Sequence, residues 1–524
     1  MSQNEAQIED IKIIGGGDSG LFHALAFNQG LRDVDIVVID NFEQPIPEVG
    51  KSTLTHILTF LHDRLGIDSK RLATEVKLAW KTTVFFEDWC GIDSFHSPLG
   101  QTIPIVAQPI QNDVRESKGP ISKHLEADME AEFHEFFYRY QARNFSDMYG
   151  AVAERPGTTP YVISDENVFS AVKGLPHAAY HFNSRSLNTF LRKVCRERGV
   201  HFIDDQVHKV ETSNGEIQRA IGDDGSYEAD LYVDASGFDR ILMSQLDNPF
   251  MPFDLPLDSA VVTTVDISLS DIVSATVVTS GNAGWFWQID TIDVRDLGYV
   301  YSSSHITEEE AKNELIESRD EPIEPDQIRT YSFNSGVLTY PWVNNCVAAG
   351  NALGFVEPLQ STALSTTAHL AERLTQLLGK HGRVNHQGVR DLFNESTLNT
   401  WEAIYNFISL YYKYSSGNTE FWRDVKSVNP GQTLHYRTYQ ASGFSAPWER
   451  YELTRNSVDI NGYWLYYLIL RNLGVESEFY ENLDMPIDPE VAAEVDNYTK
   501  ELPEKVEEYL TYTEFFDSFH PGHP

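Results

Sequence analysis

Ile11, Ile13 and Ile14 form a short apolar run, too brief for a helix and suited to a strand. Gly15-Gly16-Gly17-Asp18-Ser19-Gly20 follows at once, and Leu21 to Phe27 then predicts an apolar helix. A second strand is predicted over Asp35 to Ile39, ending at Asp40. Glu154 to Pro160 reads as a loop. A helix is predicted from about Ser184 to Arg198, with Gly199 as its stop. Strands follow at His201–Phe202, Val207–Glu211 and Leu231–Asp234, the last entering Ala235-Ser236-Gly237. Ala260 to Ser303 reads mostly as strands, with Trp285 and Trp287 two apart and so on one face. Cys346 to Ala349 is a buried strand, after which Gly350-Asn351-Ala352 is expected to open a helix. Another helix starts near Ser361, and beyond Trp401 the pattern is helical and aromatic-rich. There is no internal repeat and no low-complexity linker.

The order strand, glycine turn, helix, strand, acid matches a dinucleotide-binding unit, with GxGxxG met by Gly15, Gly17 and Gly20. The first glycine allows the tight turn, the second lets backbone approach a pyrophosphate, and the third lets helix and strand pack closely. The helix N-terminus, with Ser19 in its first turn, offers N–H groups to phosphates. Asp40, twenty residues past Gly20, can accept hydrogen bonds from ribose hydroxyls. The segment Asp230–Gly237 resembles the late strand-turn of glutathione-reductase-type folds, and two glycine turns on one sheet fit FAD better than NAD alone. The expected fold is α/β, a glutathione-reductase-type FAD-binding Rossmann fold with an inserted mixed β-sheet region and a helical C-terminal region.

The chain has 524 residues, enough for a sizeable core and about three domains. Asp plus Glu (78) exceeds Lys plus Arg (40), a formal charge of −38 that excludes a general nucleic-acid or anionic-membrane binder. The excess reads as adaptation to a salty cytoplasm, where screening weakens repulsion between surface carboxylates. Three scattered cysteines (Cys90, Cys195, Cys346) give neither a disulfide framework nor metal-ligand spacing. No secretory h-region or membrane-length apolar run is visible, so a cytoplasmic protein is expected.

Gly284-Trp285-Phe286-Trp287-Gln288-Ile289 resembles the WxWxIP signature of flavin-dependent halogenases, the tryptophan halogenase family, with Asp290 in place of proline. Val49-Gly50-Lys51-Ser52-Thr53 resembles the family's strap segment, with Lys51 replacing an acid. Ala79-Trp80-Lys81-Thr82-Thr83-Val84 is similar to the segment carrying its catalytic lysine. Tyr180-His181-Phe182, Gly298–Ser303, Gly354–Thr362 and Phe421-Trp422-Arg423 also fit, in family order.

The resemblance implies an enzyme that uses FADH2, O2 and chloride or bromide to halogenate an electron-rich aromatic, indole-like compounds before phenols. It implies Lys81 as the residue that orients hypohalous acid or carries the halogen as a haloamine, and Gln360 facing it, where tryptophan-specific members commonly have glutamate. Glutamine cannot serve as a base near neutral pH. Gly15, Gly17, Ser19, Gly20, Asp40, Lys51, Ser52, Gly350, Asn351 and Ala352 are implied at the cofactor. Thr362 and Ala363 are implied at the halide, Ala363 standing where glycine is usual. His96, Ser361, Trp285 and Trp287 are implied near substrate. The aromatic clamp of tryptophan-specific members is not evident in the matching stretch Asp459–Trp464. With one GxGxxG, a separate flavin reductase is expected. The substrate is a small aromatic, free or tethered to a carrier, and a homodimer is compatible with the reading. No metal is expected.

The expected division is 1–110, 184–250 and 341–385 for FAD binding, 111–183 as an insertion contributing to the substrate region, 251–340 as the β-sheet substrate region, and 386–524 as a helical substrate-covering region. Two rival readings are a monooxygenase of the same fold that uses no halide, and a flavin-binding member without turnover.

Overall fold

The computed structural model describes residues 7–44, 50–92, 94–99, 155–159, 161–164, 167–171, 178–428, 469–470, 472–475 and 509–517, with side chains outside position 98 and positions 161–171. Most of the insertion expected over 111–183, the stretch 459–464 and most of 476–524 lie outside them. The chain forms two compact units, each assembled from three stretches. One takes Met1–Leu78, Phe182–Leu255 and Phe333–Ile404, the other Ala79–His181, Pro256–Ser332 and Tyr405–Pro524.

The first unit is built on a six-stranded sheet. Its order is His201–Asp204, Asp35–Asp40, Asp10–Ile14, Leu231–Asp234, Cys346–Ala348 and Trp342–Val343. The first five strands run parallel, and the short Trp342–Val343 strand is antiparallel. Parallel strands buried on both faces read as unbroken apolar runs, as Ile36 to Ile39 do here. Chain order reverses between Asp10–Ile14 and Leu231–Asp234, and a doubly wound sheet opens its ligand crevice at such a point. Helix Asp18–Gly30 leaves the first strand through the glycine turn and is buried around most of its circumference, including Leu21, Phe22, Leu25 and Phe27. Helix Ser184–Glu197 is capped by the Asn183 side chain, which accepts from the Ser186 N–H at 3.0 Å. Gly199, with φ +82°, lets the chain turn out of it.

One expectation fails locally. Gly350-Asn351-Ala352 opens no helix; it is a single 3-10 turn, followed by the short strand Gly354–Phe355. That strand pairs with Gly336-Val337, which draws the chain out of helical phase, and the long helix begins only at Thr362 and runs to Lys380.

The second unit is built on a seven-stranded sheet. Its order is Arg329–Ser332, Ser259–Asp266, Val294–Tyr301, Gly284–Asp290, Ala275–Gly281, Thr83–Glu87 and Phe95–Pro98. All neighbours are antiparallel except Ala275–Gly281 with Thr83–Glu87. Register fixes which side chains share a face. Phe286, Leu297 and Tyr299 point to the face covered by helix Glu308–Glu317, where Ala311 and Leu315 complete a core cluster. Phe86, Trp285 and Trp287 point to the other face. There Tyr411 stacks on Phe86 (centroids 4.9 Å apart), and the Trp285 indole donates to Tyr412 Oη at 3.2 Å. Both tyrosines lie on helix Gln387–Lys413.

Candidate active site

In the first unit the glycine turn is shaped as its spacing implies. Gly15 has φ +108°, and a Cβ there would stand 2.4 Å from the Ala235 carbonyl oxygen. A Cβ at Gly20 would stand 2.0 Å from the Gly15 oxygen, so the third glycine permits the contact between helix and strand. A Cβ at Gly17 would meet nothing within 4 Å among the described residues. The second glycine therefore borders open space, as a backbone meant to receive phosphate requires.

Polar side chains circle this turn. Lys51, in the short strand Lys51–Ser52, is ion-paired with Asp18, which is buried at the helix start. Asn188 Nδ2 donates to the Asp18 carboxylate (3.3 Å) and to the Gly16 carbonyl (2.9 Å), and Asn188 Oδ1 accepts from Arg192 Nε (2.8 Å). Arg192 NH2 reaches the Gly16 carbonyl at 2.9 Å and also the Asp40 carboxylate. The result is one chain of contacts, Lys51–Asp18–Asn188–Arg192–Asp40. The sequence reading missed Asn188 and Arg192. The available signal was Asn188, a polar residue set in the apolar stripe of Leu187, Leu191, Val194 and Cys195.

The second glycine turn lies close to the first: Gly350 has φ +57°, and a Cβ there would stand 1.9 Å from Ser19 Oγ. Gly350, Asn351, Thr362 and Ala363 line one narrow cleft with Phe355, Thr366 and Trp401. The residues expected at cofactor and at halide are thus brought together, with Ala352 buried behind the turn. Gln360 and Ser361 both take left-handed backbone conformations, φ +72° and +59°, and both are buried. Two such non-glycine residues in succession store strain, which is characteristic of functional turns. They aim the first N–H groups of the nineteen-residue helix Thr362–Lys380, a ready anion site.

In the second unit Lys81 ends the strand Ala79–Lys81 and is fully buried. Its backbone is pinned on both sides. The Trp80 N–H donates to Tyr512 Oη (2.8 Å), and the Thr82 N–H and hydroxyl both donate to the Ser274 carbonyl (2.9 Å each). Tyr512 belongs to helix Tyr512–Asp517, far along the chain, and no local signal marks it. Burial lowers the Lys81 ammonium well below the ordinary lysine range. His181, in the strand beside it, is pushed down to about 3 by burial first and then by Lys81. Its Nδ1 lies 3.0 Å from the Asp290 carbonyl oxygen and its Nε2 2.9 Å from Thr276 Oγ1. These partners assign a neutral ring that donates from Nδ1 and accepts at Nε2.

Asp290, where the resembled signature has proline, is a fully buried carboxylate. It accepts from Arg295 Nε and NH2 (2.8 and 2.9 Å) and from the Val273 N–H (2.8 Å). Arg295 also reaches Glu321 at 2.6 Å. This network closes the end of the tryptophan strand. Trp285 and Trp287 share a face as expected, centroids 6.0 Å apart. A Cβ at Gly298 would stand 2.1 Å from the Trp287 ring, so that glycine is the slot the indole fills.

His96 is also buried, and stacks on Phe85 at 4.5 Å. Register places it, with Phe85, on the face opposite Trp285 and Trp287. The expected substrate contacts in this unit therefore divide between two faces of the sheet.

The sequence profile described as "Tryptophan halogenase" matches residues 10–459. The 7-chloro-L-tryptophan 6-halogenase KtzR of Kutzneria sp. (strain 744) is 27% identical over 449 residues, covering 79% of this chain and 81% of the relative. The tryptophan 7-halogenase RebH of Lentzea aerocolonigenes is 28% identical over 438 residues, covering 80% and 79%. Among solved structures, MibH, a tryptophan 5-halogenase, superposes with TM-score 0.80 at 23% identity, covering 100% of this chain and 95% of the other. Tar14, a tryptophan C-6 flavin-dependent halogenase, gives TM-score 0.80 at 25% identity, covering 97% and 99%.

Proposed function

The chain belongs to the tryptophan halogenase family, and on that premise we propose that it is an FADH2-dependent halogenase acting with chloride or bromide on an electron-rich aromatic, indole-like compounds first. The observation that carries this reading is Lys81: a lysine fully buried, fixed by hydrogen bonds on both sides of its backbone, and held toward its neutral form. A neutral amine can hydrogen-bond hypohalous acid, or take its halogen to give a haloamine and water. The amine then returns when the halogen passes to the ring and the ring loses its proton. Gln360 can orient either species by hydrogen bonding but cannot take that proton.

The open space at Gly17 and the flanking Lys51 suit a pyrophosphate. FAD would be held by Gly15, Gly17, Ser19, Gly20, Asp40, Lys51 and Ser52 at the dinucleotide end and by Gly350, Asn351 and Ala352 at the second turn. When bound in reduced form it supplies, with O2, the oxidising power that converts halide to electrophilic halogen. The N–H groups at Thr362 and Ala363 would receive the halide. Ser361 and His96 would border the substrate, and Trp285 and Trp287 would wall it off from the cofactor. A separate flavin reductase supplies the reduced flavin.

The test is incubation in high salt with FAD, a flavin reductase, NADH and either halide, offering indoles and phenols and reading products by mass spectrometry. Halogen isotope pairs that require Lys81 are expected. Lys81→Ala abolishes them while flavin binding survives. A product that gains oxygen instead would replace this reading with the monooxygenase.

A further inference from the structure

The tryptophan strand is the inner end of a continuous run of oxidisable rings. Trp287 lies beside Trp285, centroids 6.0 Å apart. The Trp285 indole donates to Tyr412 Oη at 3.2 Å, and the Tyr412 ring stacks on Trp422 with centroids 6.0 Å apart and planes 19° apart. All four side chains are buried. Of the four, Trp422 also lines a groove of about 520 Å³ that opens to solvent, together with Ser280, Glu314 and Glu317. Indole and phenol are, with the thiol, the side chains that give up single electrons most readily, and rings in contact pass the vacancy along.

The hydrogen bonds give the run a direction. An indole that has lost an electron is a cation with an acidic N–H, so an acceptor on that N–H makes the electron easier to remove. Trp287 Nε1 is buried with no acceptor among the described residues. Trp285 Nε1 has a hydroxyl at 3.2 Å, and Trp422 Nε1 has the Gly281 carbonyl at 2.8 Å. The groove adds the carboxylates of Glu314 and Glu317, which draw positive charge toward Trp422. Positive charge created on Trp287 therefore runs downhill to the groove.

We infer that Trp287, Trp285, Tyr412 and Trp422 form an electron-transfer chain that discharges stray one-electron oxidants at the groove, where a small soluble thiol refills it. The inference rests on the reading above, in which the tryptophan strand borders the oxidising chemistry. The oxidant is a halogen atom, from homolysis of a nitrogen–halogen or oxygen–halogen bond. It takes one electron from Trp287 and becomes halide. One electron then moves inward at each link, from Trp285, from Trp422 by way of Tyr412, and finally from the thiol, which releases a proton and pairs as disulfide. The sum is one halogen atom and one thiol giving halide, a proton and half a disulfide.

Two conservative variants test it. Tyr412→Phe removes the oxygen that joins Trp285 to the stack, and Trp422→Phe removes the outer station. Each full chain is run with FAD, a flavin reductase, NADH and bromide but no aromatic substrate, and oxidised residues are located by peptide mass spectrometry. In the unaltered protein oxidation should gather on Trp422, and glutathione should suppress it. In each variant, oxidised Trp285 and Trp287 should rise severalfold. Direct two-electron attack by hypohalous acid does not depend on Tyr412, so one oxidation pattern shared by all three chains overturns the proposal. Damage centred on Trp285 and Trp287 in the unaltered protein also overturns it. Pulse radiolysis of the flavin-free chains with the dibromide radical anion supplies a one-electron oxidant without any turnover. There glutathione should quench the indolyl radical faster in the unaltered protein than in Trp422→Phe, and equal rates overturn the proposal. A difference there, with no bromide-dependent oxidation in the turnover mixture, overturns the halogenase reading instead.

Discussion

Four histidines, His23, His96 and His181 buried and His369 half-buried, set an acid limit on stability that can be worked out in advance. Burial pushes His23 and His369 down to about 4, and His96 and His181 to about 3, from an ordinary value of 6.5. Above pH 6.5 each ring is neutral in both folded and unfolded chains, and nothing is at stake. As pH falls below 6.5 the unfolded chain takes up four protons that the folded chain refuses, so stability is lost progressively down to the folded values. At pH 5 each histidine costs about 2 kcal/mol, and the four together about 8 kcal/mol, comparable to the whole stability of an ordinary domain. Surface carboxylates with ordinary values near 4 titrate mostly below this window. Urea unfolding at fixed ionic strength between pH 7.5 and 5 should show stability falling with a limiting slope near four protons. Replacing His96 by Gln should remove about one of them. A stability that is flat over that range, or a slope below two protons, would sink the argument.

Other consequences can be checked singly. Asp290→Ala leaves the half-buried Arg295 guanidinium half-compensated and should cost about 3 kcal/mol in urea unfolding; a loss under 1 kcal/mol would mean the network relaxes freely. Ser361→Gly relieves a left-handed strain and should raise stability by about 1 kcal/mol while lowering turnover, because the turn proposed to receive halide loosens. An unchanged or lower stability would show that the serine side chain holds the turn more than its backbone strains it.

What the sequence disclosed and what it hid divide along physical lines. The glycine turn was legible because its spacing is local: Gly15, Gly17 and Gly20 fall at the step from one strand to the helix that follows it, although the Ala235 carbonyl that crowds Gly15 lies far along the chain. The shared face of Trp285 and Trp287 followed from strand alternation. The opposite placement of His96 did not, because it depends on the register of two intervening strands. Arg192 and Tyr512 were invisible for the same reason, since each acts on a segment more than a hundred residues away. Asp290 read as a departure from a signature. Its meaning appeared only with Arg295 and Val273 around it. The 3-10 turn at Gly350 was mistaken for a helix start because pairing with Gly336-Val337, a tertiary event, overrode the local pattern.

The interleaved build of the two units bears on how the protein is made. The strand Asp10–Ile14 finds one sheet neighbour in Asp35–Asp40 soon after leaving the ribosome, but its other neighbour is Leu231–Asp234, and the sheet is not extended on that side until Cys346–Ala348 emerges. At about ten residues per second, that leaves a half-built parallel sheet waiting for roughly half a minute. Neither unit can be released as a contiguous fragment, and a nascent chain paused before residue 346 would expose apolar strand edges. Heterologous synthesis should therefore gain most from slower elongation or chaperone supply over that interval, well before any question of cofactor loading arises.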